Sequence, residues 1–371
     1  VALGSLVEFG YRLIKGPIPV VNDENDLFCV PDQVLGYRFR PGAISPQGKN
    51  VNCINNAGFR GADISIPKPP GTFRILCVGD SATNGVNVHN SETFPSILGE
   101  MLKGTKFEGD IQVEVVNAGV PGYLSDHHLY LLERKYLQIE PDVVVFMMGV
   151  TDVSAILLSN ATWDAIRGVV RNDNFLPPNI DRFFREKSSA YYWITTYLRD
   201  YFDTYRLNKT EKKDLTAEIE NGLTAYSVNF QKMIDICRKK GIVVVNVNFP
   251  WKFTSRVGRE DNFIPLKNEI KYFEFNLYWQ AMPILSRRNN ELATNNSMLS
   301  IDIQPDVLKA KDRFVFFGDN DFTHPNIAGN FLIASRVYQA IVSHVLEGKV
   351  VEPCDGLELA NKYLLGLAPD S

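Results

Sequence analysis

Three side chains far apart in the chain have the types needed to make and break an acyl bond: Ser81, Asp321 and His324. Acyl transfer to a serine needs a hydroxyl, a base within hydrogen-bond reach, a group that orients the base, and donors for the oxyanion that develops. Ser81 follows the apolar run Ile75 to Val78 and the pair Gly79-Asp80, so it falls at the carboxyl end of an expected strand. In an open α/β sheet that edge is where ligands bind. Of the five histidines, His89 lies in a polar loop, His127 and His128 open a helical pattern, and His344 sits in the last one. His324 alone follows the last strand candidate in a loop, with Asp321 three residues before it. A turn that lays Asp321 against the imidazole would fix its tautomer and leave the other nitrogen for Ser81.

Each of these residues also has a plainer use. Serine is a common N-cap where a strand-loop-helix junction turns, and aspartate is a common turn residue. The stretch Ser81-Ala-Thr-Asn-Gly85 would also suit a phosphate cradled at a helix N-terminus, as in a nucleotide or flavin binder. That alternative leaves Asp321 and His324 without work and lacks both G-x-G-x-x-G and the P-loop pattern. No G-x-S-x-G elbow surrounds any serine. Asp126-His127-His128 is a poor metal site, because adjacent residues on a helix point apart.

The elements that must position these residues are legible from residue 72 onward. Phe73 to Val78, Val113 to Val116, Val143 to Met148, Ile242 to Val247 and Leu299 to Ile303 are mostly continuous apolar, β-branched runs. Such runs suit strands covered on both faces of a parallel sheet. Helical patterns lie between and after them, at Pro95 to Leu102, Asp126 to Leu137, Leu223 to Lys240 and Asn326 to Leu346. The alternation predicts a doubly wound α/β domain over 72–346 with a mainly parallel sheet of about five strands. Two insertions, 153–222 and 251–297, interrupt it on the edge that carries Ser81 and are the candidates for shaping a cleft. Residues 1–71 read as an N-terminal extension of loop and short strand, broken by Pro17, Pro19, Pro31, Pro41 and Pro46. Within it Asn55-Asn-Ala-Gly-Phe-Arg60 is a tight turn with Phe59 as an anchor, and 347–371 read as a tail.

Bulk properties narrow the function classes. The formal charge of -4 gives no broad basic field, so nucleic acid is not an expected partner. The five cysteines show no CxxC pair and no metal-type spacing; Cys77 and Cys237 read as buried thiols, and Cys29 and Cys53 flank one loop-rich segment where a bridge would be feasible. The sequence has no run of 18 apolar residues. Val1 to Ile14 is apolar and weakly amphipathic, and reads equally as the remnant of a signal or anchor segment, giving membrane association, or as a first helix packed on the domain.

Four motifs occur in order: Gly79-Asp80-Ser81, Asn117-Ala-Gly-Val-Pro-Gly122, Gly149-Val-Thr-Asp152 and Asp321-Phe-Thr-His324. Their order and their placement after strands resemble the SGNH hydrolases, also called GDSL esterases and lipases, over about residues 72 to 346. The Gly-Phe-Arg of the leader turn is similar to that preceding this domain in bacterial members. The resemblance implies a flavodoxin-like three-layer α/β/α domain, Ser81 as nucleophile, His324 as general base and Asp321 as its orienting partner. It further implies an oxyanion hole from the backbone N–H groups of Ser81 and Gly122. The family usually has Gly-x-Asn-Asp in the third motif, where the Asn amide is a third donor; here that position is Thr151. The resemblance thus makes Thr151 the third member of the oxyanion hole, through a hydroxyl that donates one hydrogen bond and can spend it elsewhere. The implied function is a serine-dependent ester hydrolase acting through an acyl-enzyme, on small acetyl-type esters of a small molecule or carbohydrate, without a cofactor or metal, in an extracytoplasmic location. The alternatives are an O-acyltransferase on polysaccharide, which would use the same triad, and a catalytically weak carbohydrate-binding or assembly protein on the same fold.

Overall fold

The computed structural model describes residues 27–48, 51–86, 88–109, 111–159, 216–251, 269–309, 324–356 and 359–360. Asp321, the N-terminal apolar segment and most of the first insertion, with its aromatic portion at 191–197, lie outside the described residues.

Five strands form one parallel sheet: β3 (Thr72–Gly79), β5 (Gln112–Gly119), β6 (Val143–Met147), β7 (Val243–Asn248) and β8 (Leu299–Asp302), in the order β5-β3-β6-β7-β8. Every sequence-predicted strand is present within a few residues. The continuous apolar runs are explained by burial on both faces: Ile75, Leu76, Cys77 and Val78 on β3 and all of β6 are buried. From β3 the chain goes first to one neighbour, β5, and then to the other, β6. The order of strands therefore reverses between β3 and β6, and a crevice opens outside their carboxyl ends. Ser81 follows the first of these strands and Thr151 the second.

Helices cover both faces. On one, α2 (Phe94–Lys103) packs against β5 and against α8 (Ile327–Ala340). On the other, α5 (Thr216–Lys239) packs against β7 and against α3 (Ser125–Arg134), α4 (Val150–Ser159) and α6 (Glu269–Asn295). Pro283 lies within α6, which occupies the second half of the second insertion. A single core runs through both layers. No helix among the described residues is long and apolar enough to cross a membrane.

The extension is bolted to this body. Its hairpin, β1 (Cys29–Asp32) with β2 (Gly36–Phe39), is antiparallel. The Asn55 side chain closes the leader turn by accepting from the Ala57 and Phe59 N–H groups at 3.0 and 2.9 Å. That drives Phe59 into the core, where Lys135 Nζ lies 4.3 Å over its ring. Arg74, fully buried on β3, pairs with Glu114 of β5 and donates to the Ser65 carbonyl at 2.9 Å, tying leader to sheet. A short antiparallel pair, β4 (Lys106–Phe107) with β9 (Val350–Glu352), holds the C-terminal segment after α8. No disulfide joins any of the five cysteines, so the feasible Cys29–Cys53 bridge is not formed.

Candidate active site

β3 delivers Ser81 to the switch-point crevice, and the capping position there belongs to the residue before it. The N-cap of the short helix α1 (Ser81–Asn84) is Asp80, whose Oδ1 accepts from the Ala82 N–H at 3.2 Å. Ser81 is the first residue inside the helix, and its hydroxyl has no capping duty. Its Oγ lies 2.8 Å from His324 Nε2, across 243 residues of sequence. His324 stands just before α8, whose N-cap Asn326 accepts from the Gly329 N–H at 3.0 Å. A hydroxyl in such contact with an imidazole nitrogen can give up its proton as the oxygen attacks.

α1 is anchored at every turn. Thr83 Oγ1 donates to the Met147 carbonyl at the end of β6, at 3.1 Å, and Asn84 Nδ2 donates to the Gly119 carbonyl at the end of β5, at 3.0 Å. This close seating is why position 79 is glycine: a Cβ there would sit 2.0 Å from the Met147 carbonyl oxygen. From the other side Arg60 donates to the carbonyls of Asn84, Gly85 and Val88 at 3.0, 2.7 and 2.7 Å. Burial lowers the Arg60 pKa to about 10, which leaves it charged at neutral pH.

Gly122 lies in the turn Val120-Pro121-Gly122-Tyr123, closed by the Tyr123 N–H on the Val120 carbonyl at 3.3 Å. Its φ of +72 with proline before it makes a type II turn. Tyr37 of the hairpin donates its hydroxyl to the Pro121 carbonyl, and Tyr123 donates its own to the Tyr37 carbonyl. Beside this turn, bounded also by Arg60, Asn84, Val86 and His89, lies a cavity of about 770 Å³.

Thr151 sits in the first turn of α4. Its hydroxyl and backbone N–H face the Asp80 carboxylate and favour the ionised form. Among the described residues Asp80 Oδ2 has no hydrogen-bond partner. Burial pushes Asp80 up to about 6, opposed by the Ala82 N–H, by His324 and by Thr151. The next carboxylate, Asp152, is fully buried and accepts from the Ser125 hydroxyl at 2.7 Å and the Ser125 N–H at 3.1 Å; burial nonetheless pushes it up to about 7. His127 and His128 are used structurally: His127 Nδ1 accepts from the Leu124 N–H at 3.0 Å, while burial lowers His128 to about 3.

Sequence reasoning missed Tyr37 and the grip of Arg60. The Gly-Phe-Arg of the leader was a signal for Arg60; Gly36-Tyr-Arg-Phe39, between two prolines, offered none for Tyr37.

The model of the GDSL-like lipase/acylhydrolase family matches residues 77–332, most of the chain and all of the sheet beyond the first half of β3. The chain belongs to that family. Its members are esterases and lipases. Among solved structures it is similar to the lipase/acylhydrolase from Enterococcus faecalis, at 16% identity and TM-score 0.43, over 73% of this chain and 96% of that one. It is similar also to an acetyl xylan esterase from Geobacillus stearothermophilus, at 15% identity and TM-score 0.42, over 72% of this chain and 94% of the other. No curated protein matches the sequence.

Proposed function

We propose that the protein is a serine-dependent ester hydrolase that works through an acyl-enzyme on Ser81. The observation that carries this reading is the 2.8 Å contact between Ser81 Oγ and His324 Nε2 at the switch point of the sheet. As Oγ attacks the ester carbonyl, its proton passes to Nε2 and the carbonyl oxygen becomes an oxyanion, held by the N–H groups of Ser81 and Gly122. Collapse expels the alkoxide, which takes the proton from His324 and leaves as alcohol. Water then repeats the sequence on the acyl-enzyme, releasing the acid and restoring the Ser81 hydroxyl. Asp321 is assigned to the other face of the imidazole by its place in the Asp-x-x-His motif. The substrate class that the family resemblance favours is a small acyl ester of carbohydrate.

A second reading, a slow hydrolase or a transferase restricted to its own acceptor, is favoured by one observation. The Thr151 hydroxyl lies near enough to Asp80 to favour its ionised form, and a hydroxyl engaged there is lost to the oxyanion, which would leave two backbone donors. Losing one oxyanion donor typically costs about 100- to 1000-fold in turnover.

The test is turnover of p-nitrophenyl acetate and of acetylated xylo-oligosaccharides by wild type, Ser81→Ala and Asp321→Asn, with phosphonate labelling of each. The expected result is turnover and labelling that vanish in Ser81→Ala, and a kcat lowered by about 100-fold or more in Asp321→Asn without loss of thermal stability. Labelling that persists in Ser81→Ala would overturn the assignment of the nucleophile. Labelling of Ser81 without turnover of any free ester would favour the transferase.

A further inference from the structure

The peptide between Pro121 and Gly122 has its carbonyl oxygen on the Tyr37 hydroxyl. In a trans peptide the C=O and N–H point in opposite directions, so whatever holds the carbonyl also aims the N–H of Gly122. Type I and type II turns differ mainly by a rotation of this central peptide, of roughly 150° at the second residue. Glycine at the third position tolerates both forms, so a Pro-Gly turn by itself can still flip. A flip would carry the Gly122 N–H to the side now occupied by its carbonyl.

We infer that Tyr37, supplied by the N-terminal hairpin, is a positioning residue that holds the oxyanion-binding N–H of Gly122 in its working orientation. The inference rests on the role proposed above for that N–H. Tyr37 is well placed to do this. Its ring lies 5.4 Å from that of Tyr123, at 55°, and its own carbonyl accepts from the Tyr123 hydroxyl, so turn and hairpin hold each other reciprocally. Burial, with a smaller contribution from Cys29, keeps its phenol well above the ordinary value, so the hydroxyl remains a donor over the working pH range. The extension thereby completes the oxyanion site, which would explain why a domain with its own five-stranded sheet carries a fixed hairpin against this loop.

The experiment compares Tyr37→Phe, Tyr123→Phe, Ser81→Ala and wild type in two assays, hydrolysis of p-nitrophenyl acetate and the rate of Ser81 labelling by a p-nitrophenyl phosphonate, with melting temperatures measured alongside. Tyr37→Phe keeps the ring and removes only the donor. It should lower kcat by about 3- to 30-fold with KM within about twofold, and slow phosphonylation by the same factor, less than outright loss of a donor. Tyr123→Phe loses the hydroxyl of a more deeply buried tyrosine but leaves the Pro121 carbonyl on Tyr37, so its kcat should fall clearly less. Unchanged kcat and labelling in Tyr37→Phe, or an equal fall in Tyr123→Phe, would overturn the positioning role while leaving the hydrolase reading intact. Absence of Ser81-dependent labelling in wild type would overturn that reading, and this inference with it.

Discussion

Arg60 of the leader donates 2.7 Å hydrogen bonds to the carbonyls of Gly85 and Val88, in the loop that follows the helix bearing Ser81. The Asn84 and Gly85 carbonyls also accept from Asn117 Nδ2 at 3.1 Å and from the Val88 N–H at 3.2 Å, so the Val88 carbonyl leans most on the guanidinium. Lysine retains the charge but has neither the planar fork nor the reach to serve the carbonyls of Asn84, Gly85 and Val88 together. Arg60→Lys should therefore lose about 1–3 kcal/mol of stability, because the Val88 carbonyl is left without its donor and the other two each lose one. It should also lower kcat, through a looser seat for Ser81. Urea unfolding checks the first part, and a midpoint equal to wild type would mean that the loop finds other donors.

Thr151→Asn asks whether the third oxyanion donor can be restored. The threonine hydroxyl now faces Asp80, and an asparagine amide is longer and carries two donors. If the position overlooks the oxyanion, kcat rises by about tenfold or more, against the 100- to 1000-fold such a donor typically supplies. The amide would also compete for the hydroxyl's place beside Asp80, so the variant is compared with Thr151→Val, which removes the donor toward Asp80 and adds none. A fall in both variants would show that the contact with Asp80 is what the reaction needs. Steady-state kinetics on p-nitrophenyl acetate distinguish the two outcomes.

The sheet was legible because its strands are buried on both faces, and continuous runs such as Val143 to Met147 leave little else for the chain to form. The small antiparallel pairs were not, since β1, β2, β4 and β9 are two to four residues long and their pairing depends on distant partners. Ser81 and His324 were legible as types at the right edge, but Ser81 could not be separated from a helix cap. Asp80 and Ser81 are adjacent and both are good capping residues, and only the backbone decides which one caps. Thr151 shows the same limit: a hydroxyl has several local acceptors, and whether it turns toward Asp80 or toward the oxyanion depends on how β3 and β6 align. Tyr37 was hidden for a different reason. Its partner is a backbone carbonyl, and backbone acceptors leave no mark in sequence.

Asp80 and Asp152 make stability fall as the pH rises. Both carboxyl groups start near 3.8 in the unfolded chain and are pushed by burial up to about 6 and about 7 when folded. The folded state binds more protons between those limits, so the stabilisation is complete below about pH 3.8 and is lost as the pH climbs through 6 and 7. The loss is on the order of 3–4 kcal/mol for each group. Asp152→Asn removes one of the two charges while keeping an acceptor for Ser125. Its melting temperature should exceed that of wild type at pH 8 and converge with it, or drop below, near pH 4.5. The difference between the two curves cancels groups remote from Asp152 and leaves Asp152 with the carboxylates coupled to it, Asp126 and Asp80. A difference that stays constant from pH 4.5 to 8 would mean that Asp152 folds ionised at no cost, with the Ser125 hydroxyl and N–H fully compensating its burial.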